Sequence, residues 1–456
     1  MERRSIAQSG VRARGADNPR MTQTGAGETA TYYEASVDRA EGCGAPLSGV
    51  HDAEVCIVGA GFAGLATALG LVERGSKDVV LLEADRVGSG ASGRNGGFVF
   101  GGYSLDGADL VAQLGVRDAR ACYALTRSAL ALIRRRIAAH AIACDAVEGG
   151  ALLANWFDDD AILDRLRRQM REHFGVEWQR VARDELQAHV VTQRYFGALL
   201  EPDAFHFHPL KYALGVARAA RAGGAHVFEQ SPVRAIERLA DGRFRVRTDG
   251  GAVRARHVVV AGGGYLRGVL PELERAMLPI ATYVMVTEPL GARLEALIPG
   301  RAAIYDTRFA FDYYRRLNDG RLLWGGRISV RDRSPAEIAR FLRRDMLRVF
   351  PSLADARIDF AWSGLMSYAR HKMPQIGRID AGPLAGVWHA SSFGGHGVAP
   401  TTVAGELLAD AITGRAPLPA AFARYGLARA WHPLGLAAAQ AAYSWAELKD
   451  ALRDRR

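Results

Sequence analysis

The stretch Val55-Cys56-Ile57-Val58-Gly59-Ala60-Gly61-Phe62-Ala63-Gly64, with its continuation to Val79-Val80-Leu81-Leu82-Glu83, decides the fold. An apolar run, a glycine-spaced turn, an amphipathic segment and a second apolar run predict a strand, a phosphate-cradling turn, a helix and a second strand. Gly59 lets the chain reverse sharply, Gly61 lets backbone N–H groups approach a pyrophosphate, and Gly64 lets the helix pack close to the strand. The helix start, at Phe62 and Ala63, turns its positive dipole end toward those phosphates. Glu83 lies nineteen positions beyond Gly64, where an acceptor for a ribose hydroxyl belongs, with Ala84 beside it. The fold class expected is α/β, with a Rossmann-like dinucleotide-binding domain and a second domain carrying a mixed or antiparallel sheet.

Directly downstream, Gly88-Ser89-Gly90-Ala91-Ser92-Gly93-Arg94-Asn95-Gly96-Gly97 is too rich in glycine for a helix or a paired strand. A short loop here, bounded at once by Phe98-Val99-Phe100, brings Ser92, Gly93, Arg94, Asn95 and Gly96 against a second part of the same cofactor. Near the other end, Val387-Trp388-His389-Ala390 feeds Phe393-Gly394-Gly395-His396-Gly397-Val398 and a helix reaching Ile412. A nicotinamide enzyme needs no second strand, glycine turn and helix so far along the chain. A flavin enzyme does, because that helix start faces the part of the isoalloxazine where negative charge develops on reduction.

With 456 residues and 49% hydrophobic content, the chain can bury a large core and is long enough for two domains. No apolar stretch approaches a membrane span. Residues 1–30 are rich in Arg, Ser and Gly, have no apolar signal core and are expected to be disordered, with Met21 as an alternative start. Cys43, Cys56, Cys122 and Cys144 are scattered without pairing or metal-ligand spacing, which predicts a cytoplasmic protein and no metal. The net charge of +10 comes from arginines spread among acids; the lysines are only Lys77, Lys211, Lys372 and Lys449. This reads as a solvated surface, and nucleic acid is not an expected partner.

Between the glycine turns the pattern changes. Val116 to His140 and Asp159 to Phe174 carry helical periodicity, and Pro209 to Gly223 opens on proline and closes on glycine. His257-Val258-Val259-Val260-Ala261 is a buried strand feeding Gly262-Gly263-Gly264, whose backbone again approaches the cofactor. Asn318-Asp319-Gly320 marks a hairpin, and Ser334-Pro335-Ala336-Glu337 a capping box. The domains expected are 31–103, 200–265 and 360–415 for the cofactor, and 104–199 with 266–359 for the substrate. Residues 416–456 form an extension packing on the body.

Taken together, Tyr32-Tyr33-Glu34-Ala35-Ser36, the Gly59–Gly64 turn, Gly90-Ala91-Ser92-Gly93-Arg94-Asn95-Gly96-Gly97, Tyr313-Tyr314-Arg315, Pro374-Gln375-Ile376-Gly377-Arg378 and Gly395-His396-Gly397-Val398 carry a family likeness. The chain resembles the D-amino-acid oxidase superfamily of FAD-dependent oxidoreductases, and within it the bacterial gamma-glutamylputrescine oxidoreductase group. The resemblance implies FAD, with Val233, Gly262, Gly395, His396, Gly397 and Val398 joining the contacts above. It implies a small-molecule amine as substrate, oxidised to an imine that hydrolyses, with oxygen as acceptor. A dehydrogenase delivering electrons to a quinone or carrier is the nearest alternative. A tRNA-modifying flavoprotein is the rival from another class.

Two departures bear on the substrate. Where the resemblance places an arginine that clamps a substrate carboxylate, the run Trp362-Ser363-Gly364-Leu365-Met366-Ser367 has Met366, so free amino acids lose their clamp unless Arg315 or Arg370 replaces it. Gly364 stands where sarcosine oxidases carry a flavin-bonding cysteine, so the FAD is expected to be noncovalent. Candidate catalytic residues are His396 at the flavin-facing turn, Lys372 as a cation for oxygen reduction, Tyr314 and Met366; Tyr313, Tyr314 and Trp362 are candidates to line an aromatic pocket.

Overall fold

The computed structural model describes residues 31–39, 44–331 and 333–454. The expectations for residues 1–30 and for Cys43 lie outside them.

Two eight-stranded sheets and a small three-stranded one organise the described chain. In the first sheet, Gly49–Val58 runs parallel to Gly251–Val260 on one side and to Val79–Leu82 on the other. His226–Phe228 extends it beyond Val79–Leu82, and Trp388–Ser391 joins it parallel to Gly251–Val260. The runs Val55–Val58 and Val79–Leu82 are buried throughout, as continuous apolar strands in a parallel sheet must be. Ala235–Arg238, Phe244–Arg247 and Gly251–Val260 form an antiparallel meander, with Asp249-Gly250 in the turn between its last two strands.

Helix Phe62–Glu73 leaves the first strand and packs against helix Val398–Ile412. The contact is backbone-close: a methyl group added at Gly405 would sit 2.5 Å from the Cβ of Ala66. Segments more than 300 residues apart in sequence thus form one layer, with their N-termini at the same end of the sheet.

The second sheet runs in the order Ile358–Tyr368, Leu278–Thr287, Leu322–Ser329, Tyr313–Arg316, Ala303–Asp306, Ala151–Ala154, Ala198–Glu201 and Gln179–Val181. It is antiparallel except where Ala303–Asp306 lies parallel to Ala151–Ala154. Helix Pro335–Val349 covers one face, opened by the Ser334/Glu337 capping box. Ile358–Tyr368 pairs along its whole length in this sheet, although a boundary at 360 placed nearly all of it with the cofactor segment. Its long partner, Leu278–Thr287, outweighs the nearby glycine turns. Likewise the predicted helix at Val116–His140 begins earlier, at Gly107, with Gly115 in a left-handed kink (φ 77°). The predicted helix at Asp159–Phe174 ends in a π turn over Met170–Phe174.

Candidate active site

A single cavity of ≈ 1590 Å³ opens between the two large sheets, and it is lined by both glycine turns. Gly59, Gly61, Phe62 and Ala63 stand on its wall together with Gly395, His396, Gly397 and Val398. Glu83, Ala84, Ser92, Arg94, Asn95, Gly96, Val233 and Gly262 complete the set predicted for the cofactor. Gly64 and Gly93 stand behind this wall. A methyl group at Gly64 would lie 1.9 Å from the Gly59 carbonyl oxygen, and one at Gly93 would lie 2.3 Å from the Gly88 oxygen. Both glycines therefore shape the turns from the rear.

The cradle has the donors that an anionic dinucleotide requires. Helix Phe62–Glu73 has Gly61 as its N-cap and no side chain capping it there, leaving its first turn to backbone groups, of which Phe62 N–H donates to Ser92 Oγ at 2.8 Å. Glu83 accepts from the N–H groups of Ala60 (2.7 Å) and Asp85 (3.1 Å), which hold the carboxylate at the strand end. Burial raises the Glu83 pKa, and these backbone donors oppose the shift. In the adjoining loop the Asn95 amide donates to the carbonyls of Ala91 and Ser92, while its oxygen accepts from Gly97 N–H. Arg94 Nε donates to Ser89, and the Arg94 carbonyl accepts from the Trp362 indole at 2.9 Å. The donor set, the volume and the glycine-shaped approach fit FAD.

His396 stands on the second turn. Its Nε2 lies 2.8 Å from the Gly101 carbonyl oxygen, which can only accept, so Nε2 carries the proton. Burial pushes the His396 pKa down to about 4, and the ring packs edge-on against Phe100 at 4.3 Å. The imidazole is neutral and tied to the backbone. Gly101 N–H in turn donates to Glu201, a buried carboxyl group whose pKa desolvation pushes up to about 7.

Met366 lines the cavity opposite the same turn; a methyl group at Gly395 would lie 2.5 Å from its sulfur. Lys372 also lines the cavity, exposed and in a left-handed conformation (φ 60°). Two expectations need correction. Tyr314 is fully buried on the far face of its strand, stacked on Trp324 at 4.3 Å and hydrogen-bonded to Tyr195 at 3.1 Å, so it does not reach the cavity. Trp362 is buried at the cavity's back wall, held by the Arg94 carbonyl and Tyr33. Tyr313, one residue along from Tyr314, faces the cavity as strand alternation requires.

Phe100, Tyr305, Phe309, Phe311, Tyr368 and Tyr443 also line the cavity, and none was singled out from the sequence. The period-two spacing of Phe98 with Phe100, and of Phe311 with Tyr313, is the signal that groups four of the aromatics. Of the two arginines considered as a replacement carboxylate clamp, Arg370 lines the cavity with an exposed side chain, and Arg315 cannot serve. It is 3% exposed, its Nε donates to Gly96 (2.7 Å) and one terminal nitrogen donates to Phe207 (2.9 Å), tying the glycine loop to the second sheet. Arg327 reaches the cavity from a β-bulge opposite Thr282 and Tyr283, and its guanidinium grips Asp345 through two nitrogens (2.7 and 2.9 Å). Among the described residues no cluster suited to a metal occurs, and no helix is long and apolar enough to cross a membrane.

Residues 54–411 match the family described as FAD dependent oxidoreductase (DAO), and the chain belongs to that family. It is thus an FAD-dependent oxidoreductase. It is 36% identical over 400 residues to gamma-glutamylputrescine oxidoreductase of Escherichia coli (strain K12), covering 87% of this chain and 91% of that protein. A probable oxidoreductase OrdL of Haemophilus influenzae is 35% identical over 380 residues, covering 81% and 85%. In fold the chain is similar to glycine oxidase from Geobacillus kaustophilus, with a TM-score of 0.69 at 21% identity, over 83% of this chain and 99% of that one.

Proposed function

We propose that the protein oxidises an amine lacking an α-carboxylate, in the class of a gamma-glutamylated polyamine, to an imine that water hydrolyses to an aldehyde. The single observation that carries this is the wall facing the His396 turn, which holds Met366 in place of a carboxylate clamp, while Arg315 is bound to backbone carbonyls. The 36% identity to the Escherichia coli gamma-glutamylputrescine oxidoreductase supports the substrate class. FAD supplies the two-electron acceptor for the C–H bond that breaks at the amine carbon. The protein's own part is positioning: His396 holds its turn against Gly101 without adding positive charge, and the aromatic wall excludes water.

Oxygen is the acceptor in this reading, forming hydrogen peroxide, and Lys372 on the cavity wall is the cation assigned to assist. The FAD is noncovalent, in keeping with a cavity that no described cysteine lines. Anaerobic addition of a panel of amines and matched α-amino acids tests the reading by loss of flavin absorbance. Bleaching by monoacylated diamines and not by amino acids is the expected result. Bleaching by amino acids alone overturns the substrate class. Peroxide production in air separates the oxidase from a quinone-linked dehydrogenase, and a yellow supernatant after acid precipitation tests noncovalent binding.

A further inference from the structure

The cavity wall beside His396 contains a closed circuit of aromatic rings. Phe98 meets Phe100 with ring centroids 6.1 Å apart and Tyr313 at 5.6 Å, both edge-on. Phe100 stacks on Tyr305 at 5.6 Å, with an interplanar angle of 6°. Tyr305 meets Phe311 at 6.0 Å, and Phe311 returns to Tyr313 at 6.3 Å. Among the described residues no ring contact crosses this circuit, and all five rings line the cavity. The five rings thus border one continuous stretch of the cavity wall, and an aromatic face attracts a cation within about 6 Å of its centroid.

The electrostatics of this enclosure point one way. The carboxylates on the cavity wall are Glu83 and Asp85, both at the end of strand Val79–Leu82 beside the first glycine turn. The circuit therefore offers a cation no carboxylate, only aromatic ring surface and two phenol oxygens. Arg327, one of the cations lining the cavity, is already paired with Asp345. A carboxylate entering the circuit meets the negative π density of the rings, which hold no cation among them. An alkylammonium meets the reverse.

We propose that the circuit of Phe98, Phe100, Tyr305, Phe311 and Tyr313 is the seat of the substrate's alkylammonium group and the element that selects amines over amino acids. The proposal rests on the amine-oxidation reading above and adds to it the residues that choose the substrate. The incoming amine is recognised as its cation.

Tetramethylammonium, which has no N–H and no lone pair and cannot be oxidised as an amine, is the probe. Calorimetric titration of the FAD-loaded protein at constant ionic strength compares it with tert-butanol, an uncharged molecule of similar size. The expected result is binding of tetramethylammonium at least about tenfold tighter than tert-butanol, reduced about fivefold or more in Phe311→Leu and kept in Tyr313→Phe. Equal binding of the two probes overturns the proposal, as does undiminished tetramethylammonium binding by a Phe311→Leu protein that retains its flavin. Should that variant fail to hold flavin, the two-probe comparison on the unmodified protein decides. Absence of flavin bleaching by any amine would overturn the oxidation reading instead, whatever the two probes do.

Discussion

A strict steric demand beside the site falls on Gly64, where any side chain collides with the Gly59 carbonyl. Gly64→Ala must push the helix start off the turn. We expect it to yield a colourless protein with a melting temperature several degrees lower, read by flavin absorbance and calorimetry. Buried ionisable groups give a second prediction. Glu201, normally near 4.5, sits at about 7 because burial disfavours its charge, so its contribution is fully present below pH 4.5 and is lost as pH climbs through 7. Glu201→Gln should remove that loss, worth on the order of 3 kcal/mol, and raise the melting temperature at pH 8 relative to the unmodified protein. Four histidines act in the opposite direction. Burial holds His206 and His208 at about 3, and His389 and His396 at about 4, against an ordinary 6.5. Their contribution is present above pH 6.5 and disappears as pH falls toward 4, so the acid limb of a stability–pH curve should survive the Glu201 substitution.

Elements that carry backbone signals were readable from the sequence. The Gly59–Gly64 turn, the capping box at Ser334 and the proline-to-glycine helix at Pro209–Ala222 each state their geometry in residues a few positions apart. The face of strand Tyr313–Arg316 was harder to read. Tyr313 and Tyr314 are both aromatic, and only the sheet pairing with Leu322–Ser329 and the core residue Trp324 decides which one turns inward. The bulge that aims Arg327 at the cavity leaves no mark in local sequence, because it arises from the mismatch between Leu278–Thr287 and its partner strand. The helix–helix contact gives a test at this scale. Gly405→Leu should separate Phe62–Glu73 from Val398–Ile412, cost about 1–3 kcal/mol by overpacking and weaken FAD binding, as measured by flavin retention on dilution.

At the scale of the whole molecule, the last helix, Leu434–Arg453, is fastened to the half of the chain that holds the second sheet and adds its own face to the cavity wall. Gly435, Ala438, Ala439, Ala442 and Tyr443 line the cavity. Beyond them, Asp450 accepts from Phe309 N–H at 2.8 Å, and Asp454 accepts from the Trp156 indole at 3.0 Å and pairs with Arg194 and Arg348. Asp454→Ala should loosen this anchor and raise KM for the amine more than it lowers kcat, measured by steady-state kinetics. The same distribution of the site over the chain has a consequence for biosynthesis. The Gly59 turn leaves the ribosome some 330 residues before His396, a delay on the order of tens of seconds at ordinary elongation rates. During that interval the nascent polypeptide has only half of a flavin cradle. Cofactor capture therefore waits on the arrival of the second turn, and the order of synthesis makes the FAD site one of the last features of the fold to be completed.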